Sequence, residues 1–177
     1  MLTLVLGGAR SGKSHYAQSL CTEGAIYIAT AIVGDDIEMQ RRVARHRQER
    51  PAGWETIQEG ELVPEAVRDS NPRHVPVIVD CITVWIANLL DKYKDLAVEH
   101  REETILAAVD LLAAVAKSRT VIAVSNEVGN GVVPENSIAR EFRDIHGLAN
   151  QHLARAAAHV VFMIAGIPLD VSLKRKE

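Results

Sequence analysis

Five short blocks of unbroken apolar sequence punctuate the chain, and the spacing of apolar residues between them is helical. Leu2–Leu6, Ala25–Ala29, Val75–Val79, Thr120–Val124 and Val160–Ile164 are rich in β-branched residues. Runs of this length and composition predict buried strands. Between Glu99 and Lys117, Ile105, Val109, Leu112 and Ala116 recur at spacings of four, three and four. From about Asn136 to Ala158, Ile138, Phe142, Ile145 and Ala149 form a second stripe. Strands without in–out alternation, separated by amphipathic helices, predict an α/β fold: a mainly parallel sheet with helices on both faces. Residues 31–74 follow the pattern less well and are expected to form an excursion from it.

The first strand runs into Gly7-Gly8-Ala9-Arg10-Ser11-Gly12-Lys13-Ser14, and His15 to Leu20 contains no helix breaker. This is G-x-x-x-x-G-K-[ST] in the strand–loop–helix setting that gives the motif its mechanism. Glycines permit close backbone approach, and loop amides with the helix start direct positive dipole at phosphate oxygens. Lys13 is placed to reach the β- and γ-phosphates, and the Ser14 hydroxyl to ligate Mg²⁺. A bound nucleoside triphosphate is therefore expected. A chance match is the competing explanation, and the flanking elements disfavour it.

Ligands of open parallel sheets sit at the carboxyl ends of strands. Asp80 closes the third apolar block, an acid after a hydrophobic run, which suits a second Mg²⁺ ligand. Pro76 has no ladder donor and belongs at the start of that strand. Thr30 closes the second block, where a cap or turn role competes with a ligand role. Asn126-Glu127-Val128-Gly129 follows the fourth block, where a regulatory GTPase carries Asn-Lys-x-Asp; Asp80-Cys81-Ile82-Thr83 likewise lacks D-x-x-G. A switch protein is disfavoured.

Composition narrows the picture further. The length of 177 residues suits one domain, residues 1–177, with a substantial core. A net charge of −3 gives no reason to expect nucleic acid as partner. No apolar run approaches the roughly 20 residues of a membrane span, and the N-terminus lacks signal-peptide order. Cys21 and Cys81 have no metal-ligand spacing and are expected to be reduced, as in a cytoplasmic protein.

The segment DDIEMQRRVARHRQERPAGW, residues 35–54, is unusual in carrying Arg41, Arg42, Arg45, Arg47 and Arg50 around His46. On a helix ending near Pro51, Arg42, His46 and Arg50 share one face. A solvated charged face is the bland account. Arginines also suit phosphate recognition, and their charge disfavours the protonated imidazole, leaving a neutral nitrogen nucleophile. If one histidine performs covalent chemistry, His46 is the candidate. Farther on, Gly129, Gly131 and Pro134 mark a tight loop before Arg140, Arg143 and Asp144. That stretch reads either as a charged surface helix or as a wall facing a substrate or subunit.

The opening LVLGGARSGKS, the YIAT strand end, H-x-x-x-R-P-x-x-W from His46 to Trp54, the acid-ended strand and SNEVGNGVVPENSIAREFRDIHGLANQHLA form an ordered set. In this set the chain resembles the bifunctional adenosylcobinamide kinase/adenosylcobinamide-phosphate guanylyltransferase family of cobalamin biosynthesis, over nearly its whole length. The resemblance implies a P-loop, RecA-like fold, often a homotrimer, and a corrinoid substrate. It implies phosphorylation of adenosylcobinamide with GTP or ATP, then transfer of GMP from GTP through a guanylylated histidine to adenosylcobinamide phosphate. On that resemblance the histidine is His46. Nucleotide contacts fall on Gly7 through Ser14, Thr30, Ala31, Ile32, Arg47, Gln48, Glu49, Arg50, Gln58 and Asp80. Gln58 stands where the family more usually has glutamate, with Glu59 beside it. A plain small-molecule kinase and a nucleotide-binding regulator are the alternatives.

Overall fold

The computed structural model describes residues 1–32 and 53–172. The arginine-rich helix expected around His46, with Arg47, Gln48, Glu49 and Arg50, lies outside the described residues.

All five apolar blocks form strands: β1 (Leu2–Gly7), β2 (Ile26–Ala29), β4 (Val77–Asp80), β5 (Val121–Val124) and β6 (His159–Ile164). Pro76 sits just before β4, where its missing donor costs nothing. Two further strands, β3 (Glu55–Gln58) and β7 (Ile167–Asp170), complete a seven-stranded sheet in the order β3-β2-β4-β5-β1-β6-β7. Every neighbouring pair is parallel except β6 and β7. These two join through Ala165-Gly166, both at positive φ, in a tight turn.

The edge strands had little sequence signal for a physical reason. β3 reads Glu-Thr-Ile-Gln, and only Ile57 packs against the core. β7 contains Pro168 and is exposed throughout, as an edge strand tolerates. Both owe their conformation to the ladder beside them.

Period-two alternation divides the sheet. One face (Leu2, Leu4, Ile26, Ile28, Val77, Val79, Val121 and Ala123) packs beneath α2 (Val63–Asp69), α3 (Ile82–Lys92), α4 (Val98–Val115) and α5 (Ser137–Ala156). The other presents Val5, Tyr27, Ile78, Ile122, Val124 and Val161 to α1 (Lys13–Ser19). Among the described helices no segment is long and apolar enough to cross a membrane.

Helices α4 and α5 are slightly shorter than their periodicity predicts. Asn136 caps α5 by accepting the Ala139 amide at 3.1 Å. The helix stops at Ala156 because Ala157 is extended and the Ala158 amide donates to Leu2 O at 2.8 Å. That contact leads the chain into β6. Helix α3 begins directly after Asp80-Cys81, with no side-chain cap. Its buried stripe of Ile82, Trp85, Ile86 and Leu89 thus continues the apolar strand with no loop to separate the two periods.

Candidate nucleotide site

The phosphate loop leaves β1 at Gly7, with φ 150°, and enters α1 at Gly12, with φ 93°. A Cβ on Gly7 would stand 2.6 Å from Met163 O and 2.7 Å from Ser11 Oγ, so only glycine fits there. The β6–β7 turn braces the loop from outside, with Gly166 N–H donating to Ser11 O at 3.0 Å. Lys13 is buried at 7% exposure, and its Nζ donates to Gly8 O at 2.7 Å. The ammonium is thereby folded over the loop. Ser11 Oγ is buried without a hydrogen-bond partner among the described residues, and Ser14 is half-buried in the first turn of α1. A lysine, two hydroxyls and the loop amides therefore fall within one glycine-rich turn, a chemistry suited to phosphate.

Asp80 closes β4, on the same sheet face as Tyr27 and α1. The Tyr27 hydroxyl donates to Asp80 Oδ2, and Oδ1 takes no hydrogen bond among the described residues. Thr30 fixes the adjoining backbone. Its amide donates to Asp80 O at 3.1 Å, while its hydroxyl donates to Cys81 O and accepts from Cys81 N, each at 2.8 Å. Fully buried, Thr30 turns these groups toward the end of β4. Burial and, to a smaller extent, the charge of Asp80 push the Cys81 thiol up to about 11, with Lys13 opposing. Ser14 and Asp80 offer a hydroxyl and a carboxylate, hard oxygen donors that suit Mg²⁺.

Strand β5 lies between β4 and β1, and its end is held by a buried polar network. Asn150 Nδ2 donates to Asn126 O at 3.1 Å, turning Oδ1 toward the Ser125 hydroxyl, which donates to it at 2.7 Å. The proton of Ser125 is thus committed. His146 Nε2, 3.1 Å from both Ser125 Oγ and Thr83 Oγ1, must therefore carry its own proton to be bonded to Ser125. Thr83 Oγ1 also accepts the Asn126 amide at 2.9 Å. Burial pushes the imidazole down to about 4, opposed by the nearby charge of Glu127, so it is neutral at ordinary pH. Beyond this network the Glu127 amide donates to Gly7 O at 3.0 Å, joining the end of β5 to the start of the phosphate loop.

A second group of strand ends lies toward the β2–β3 edge. Asn88 Nδ2 donates to Thr30 O at 2.8 Å and Gly60 O at 2.9 Å, tying the two connections together. Gln58 Nε2 donates to Ala31 O at 2.9 Å. Ala31 is half-buried and Ile32 exposed. Glu59, adjacent to Gln58, uses Oε1 to accept the Glu61 and Leu62 amides at 2.8 and 2.9 Å. That carboxylate oxygen closes the turn into α2.

The fold sets Gly7–Ser14 and Asp80 at the carboxyl ends of β1 and β4, which flank β5, and sets Ala31 beside Gln58. Sequence reasoning missed Tyr27, Thr83, Asn88, Ser125, His146 and Asn150. Only Tyr27 had a usable signal, being a polar-tipped residue inside an apolar strand.

A profile of the cobinamide kinase / cobinamide phosphate guanyltransferase family matches residues 3–171. The bifunctional adenosylcobalamin biosynthesis protein CobU of Escherichia coli (strain K12) is 40% identical over 97% of this chain and 99% of its own length. The protein of that description from Pseudomonas aeruginosa, CobP, is 38% identical over 97% of each chain. CobU of Salmonella typhimurium is 37% identical over 97% of this chain and 99% of its own.

Proposed function

The chain belongs to the cobinamide kinase / cobinamide phosphate guanyltransferase family, and from that premise we propose that both reactions of this enzyme use the single nucleotide site built on Gly7–Ser14 and Asp80. The enzyme is a kinase and a guanylyltransferase acting on a corrinoid in adenosylcobalamin biosynthesis, with a purine nucleoside triphosphate as co-substrate. The observation that supports the shared site is the sheet order, in which the strand feeding the loop and the strand ending in Asp80 flank β5 on either side. That order supports assigning the loop cation and the strand-end acid to one phosphate chain.

In the kinase reaction the hydroxyl of adenosylcobinamide attacks the γ-phosphorus and nucleoside diphosphate leaves. In the guanylyltransferase reaction a nucleophile attacks the α-phosphorus of GTP and pyrophosphate leaves; the GMP then passes to the phosphate oxygen of adenosylcobinamide phosphate. Both are in-line displacements that depend on positioning and charge neutralisation. Lys13 exchanges its bond to Gly8 O for phosphate oxygens, and loop amides orient the chain. Ser14 and the open oxygen of Asp80 would hold Mg²⁺, which offsets phosphate charge when bound. His46 is the nucleophile that carries GMP, and Arg47 and Arg50 are among the nucleotide contacts. Gln48, Glu49, Thr30, Ala31, Ile32 and Gln58 complete the nucleotide contacts, and ATP also serves the kinase reaction. The enzyme acts in the cytoplasm as a homotrimer.

The test uses GTP labelled at the α-phosphate. The protein retains acid-labile label after denaturation, and His46→Ala retains none while still phosphorylating adenosylcobinamide. Undiminished label in His46→Ala eliminates His46 as the carrier.

A further inference from the structure

The two reactions differ in one respect that the residues named so far do not address. A hydroxyl attacking γ-phosphorus must lose its proton. A neutral imidazole has a free lone pair to attack with, and the phosphate of adenosylcobinamide phosphate is already ionised near neutral pH. Only the kinase reaction needs a proton acceptor on the substrate.

Among the described residues four carboxylates stand at or just past the strand ends of this site. Asp80 is bonded to Tyr27 and directed to the metal position, Glu59 holds the amides of Glu61 and Leu62, and Glu61 pairs with Lys92 at 2.6 Å. Glu127 differs from all three. It follows the central strand β5, between the strand of Asp80 and the strand that feeds the phosphate loop. Its amide is bonded to Gly7 O at 3.0 Å, so its backbone is fixed at the base of the loop. Its Oε1 accepts the Gly129 amide at 2.7 Å, which sets the orientation of the carboxylate. A Cβ on Gly129 would come 2.9 Å from that oxygen, so the carboxylate lies close against the Gly129 backbone. Oε2 takes no hydrogen bond among the described residues, and Glu127 is only half-buried. Behind it, Asn126 is anchored front and back by Thr83 and Asn150.

We infer that Glu127 is the proton acceptor of the kinase reaction, receiving the proton of the corrinoid's hydroxyl on Oε2. The hydroxyl oxygen bonds to the γ-phosphorus, and the bond from that phosphorus to the bridging oxygen breaks. The electron pair leaves on the nucleoside diphosphate, and the proton passes from Oε2 to solvent. This inference rests on the nucleotide site proposed above.

The experiment assays adenosylcobinamide phosphorylation and guanylyl transfer to supplied adenosylcobinamide phosphate separately, in the wild type, Glu127→Gln and Glu127→Asp. Glutamine keeps an oxygen for the Gly129 amide but removes the acceptor. Kinase kcat is expected to fall by about 10²–10⁴ with little change in KM for GTP, and guanylyl transfer by less than about tenfold. Aspartate, one methylene shorter, recovers part of the kinase rate. An unchanged kinase rate in Glu127→Gln, or equal losses in both reactions, overturns the assignment. Should Glu127→Gln not fold, Glu127→Asp decides: a kinase-to-guanylyltransferase ratio equal to wild type overturns it, and a ratio lower by about tenfold or more upholds it. Lys13→Ala, assayed in parallel, separates the two levels. If it spares both reactions the nucleotide site itself is wrong, whereas the Glu127 variants decide only where the proton goes.

Discussion

The hydroxyl of Tyr27 donates to Oδ2 of Asp80, across 53 residues of sequence. Tyr27 is 2% exposed, so a phenol that could have packed as phenylalanine instead fixes one oxygen of the strand-end acid. Replacing it with phenylalanine leaves the apolar contacts and removes the bond. Tyr27→Phe is expected to lose about 1–3 kcal/mol, as for a hydrogen bond to a charged group. The Mg²⁺ concentration for half-maximal activity should rise severalfold. Thermal unfolding and a Mg²⁺ titration measure the two effects, and an unchanged Mg²⁺ dependence would remove Tyr27 from the site.

Lys13 separates shared from divided machinery. If one phosphate cradle serves both reactions, Lys13→Ala should lower both by about 10²–10³, the usual cost of losing one oriented donor to developing charge. Selective loss of one reaction would show that the triphosphate is held by different groups in each.

Gly7→Ala tests the close packing of loop and hairpin. The added methyl meets a backbone carbonyl, Met163 O at 2.6 Å, which cannot swing aside as a side chain would. Overpacking together with backbone strain should cost roughly 2–5 kcal/mol. Calorimetry should show the melting temperature falling by about 5–15 °C, and an unchanged transition would mean that the hairpin is not seated on the loop.

Buried His146 ties stability to pH. Its pKa is depressed to about 4, against an unfolded value of about 6.5. The unfolded chain therefore takes up a proton at higher pH than the native one. Stability is complete above the unfolded pKa and declines as pH falls from there toward 4. Between pH 6.5 and 5 this group should remove about 2 kcal/mol. His146→Gln should lower stability at pH 7 yet flatten that part of the profile. Urea titrations at the two pH values measure the difference, and parallel profiles for the two proteins would show that His146 does not titrate between them.

Most of the sheet was legible because a buried parallel strand is a contiguous run, visible in five residues. The phosphate loop was legible for a similar reason, since its glycine, lysine and hydroxyl requirements fall within eight consecutive positions. Asp80 was legible as an acid directly after an apolar run. Strand β3 was not, because Glu55, Thr56 and Gln58 acquire strand geometry from the ladder with β2 and not from an apolar pattern of their own. Helix α3 carried its stripe openly, yet no polar loop separates it from β4.

The sequence by itself determined which segments are buried, where the chain must turn sharply for phosphate, and which residue types stand at the strand ends. Those are local properties, set by side-chain size, backbone freedom and periodicity over a few residues. The tertiary structure alone decided that Tyr27 meets Asp80, that His146 meets Thr83 and Ser125, and that Glu127 rests on Gly7. Alternation assigns each residue to one side of its own strand. Which sides coincide, and which ends become neighbours, depends on strand order and register, and these are fixed only when the sheet closes its hydrogen bonds and buries both faces.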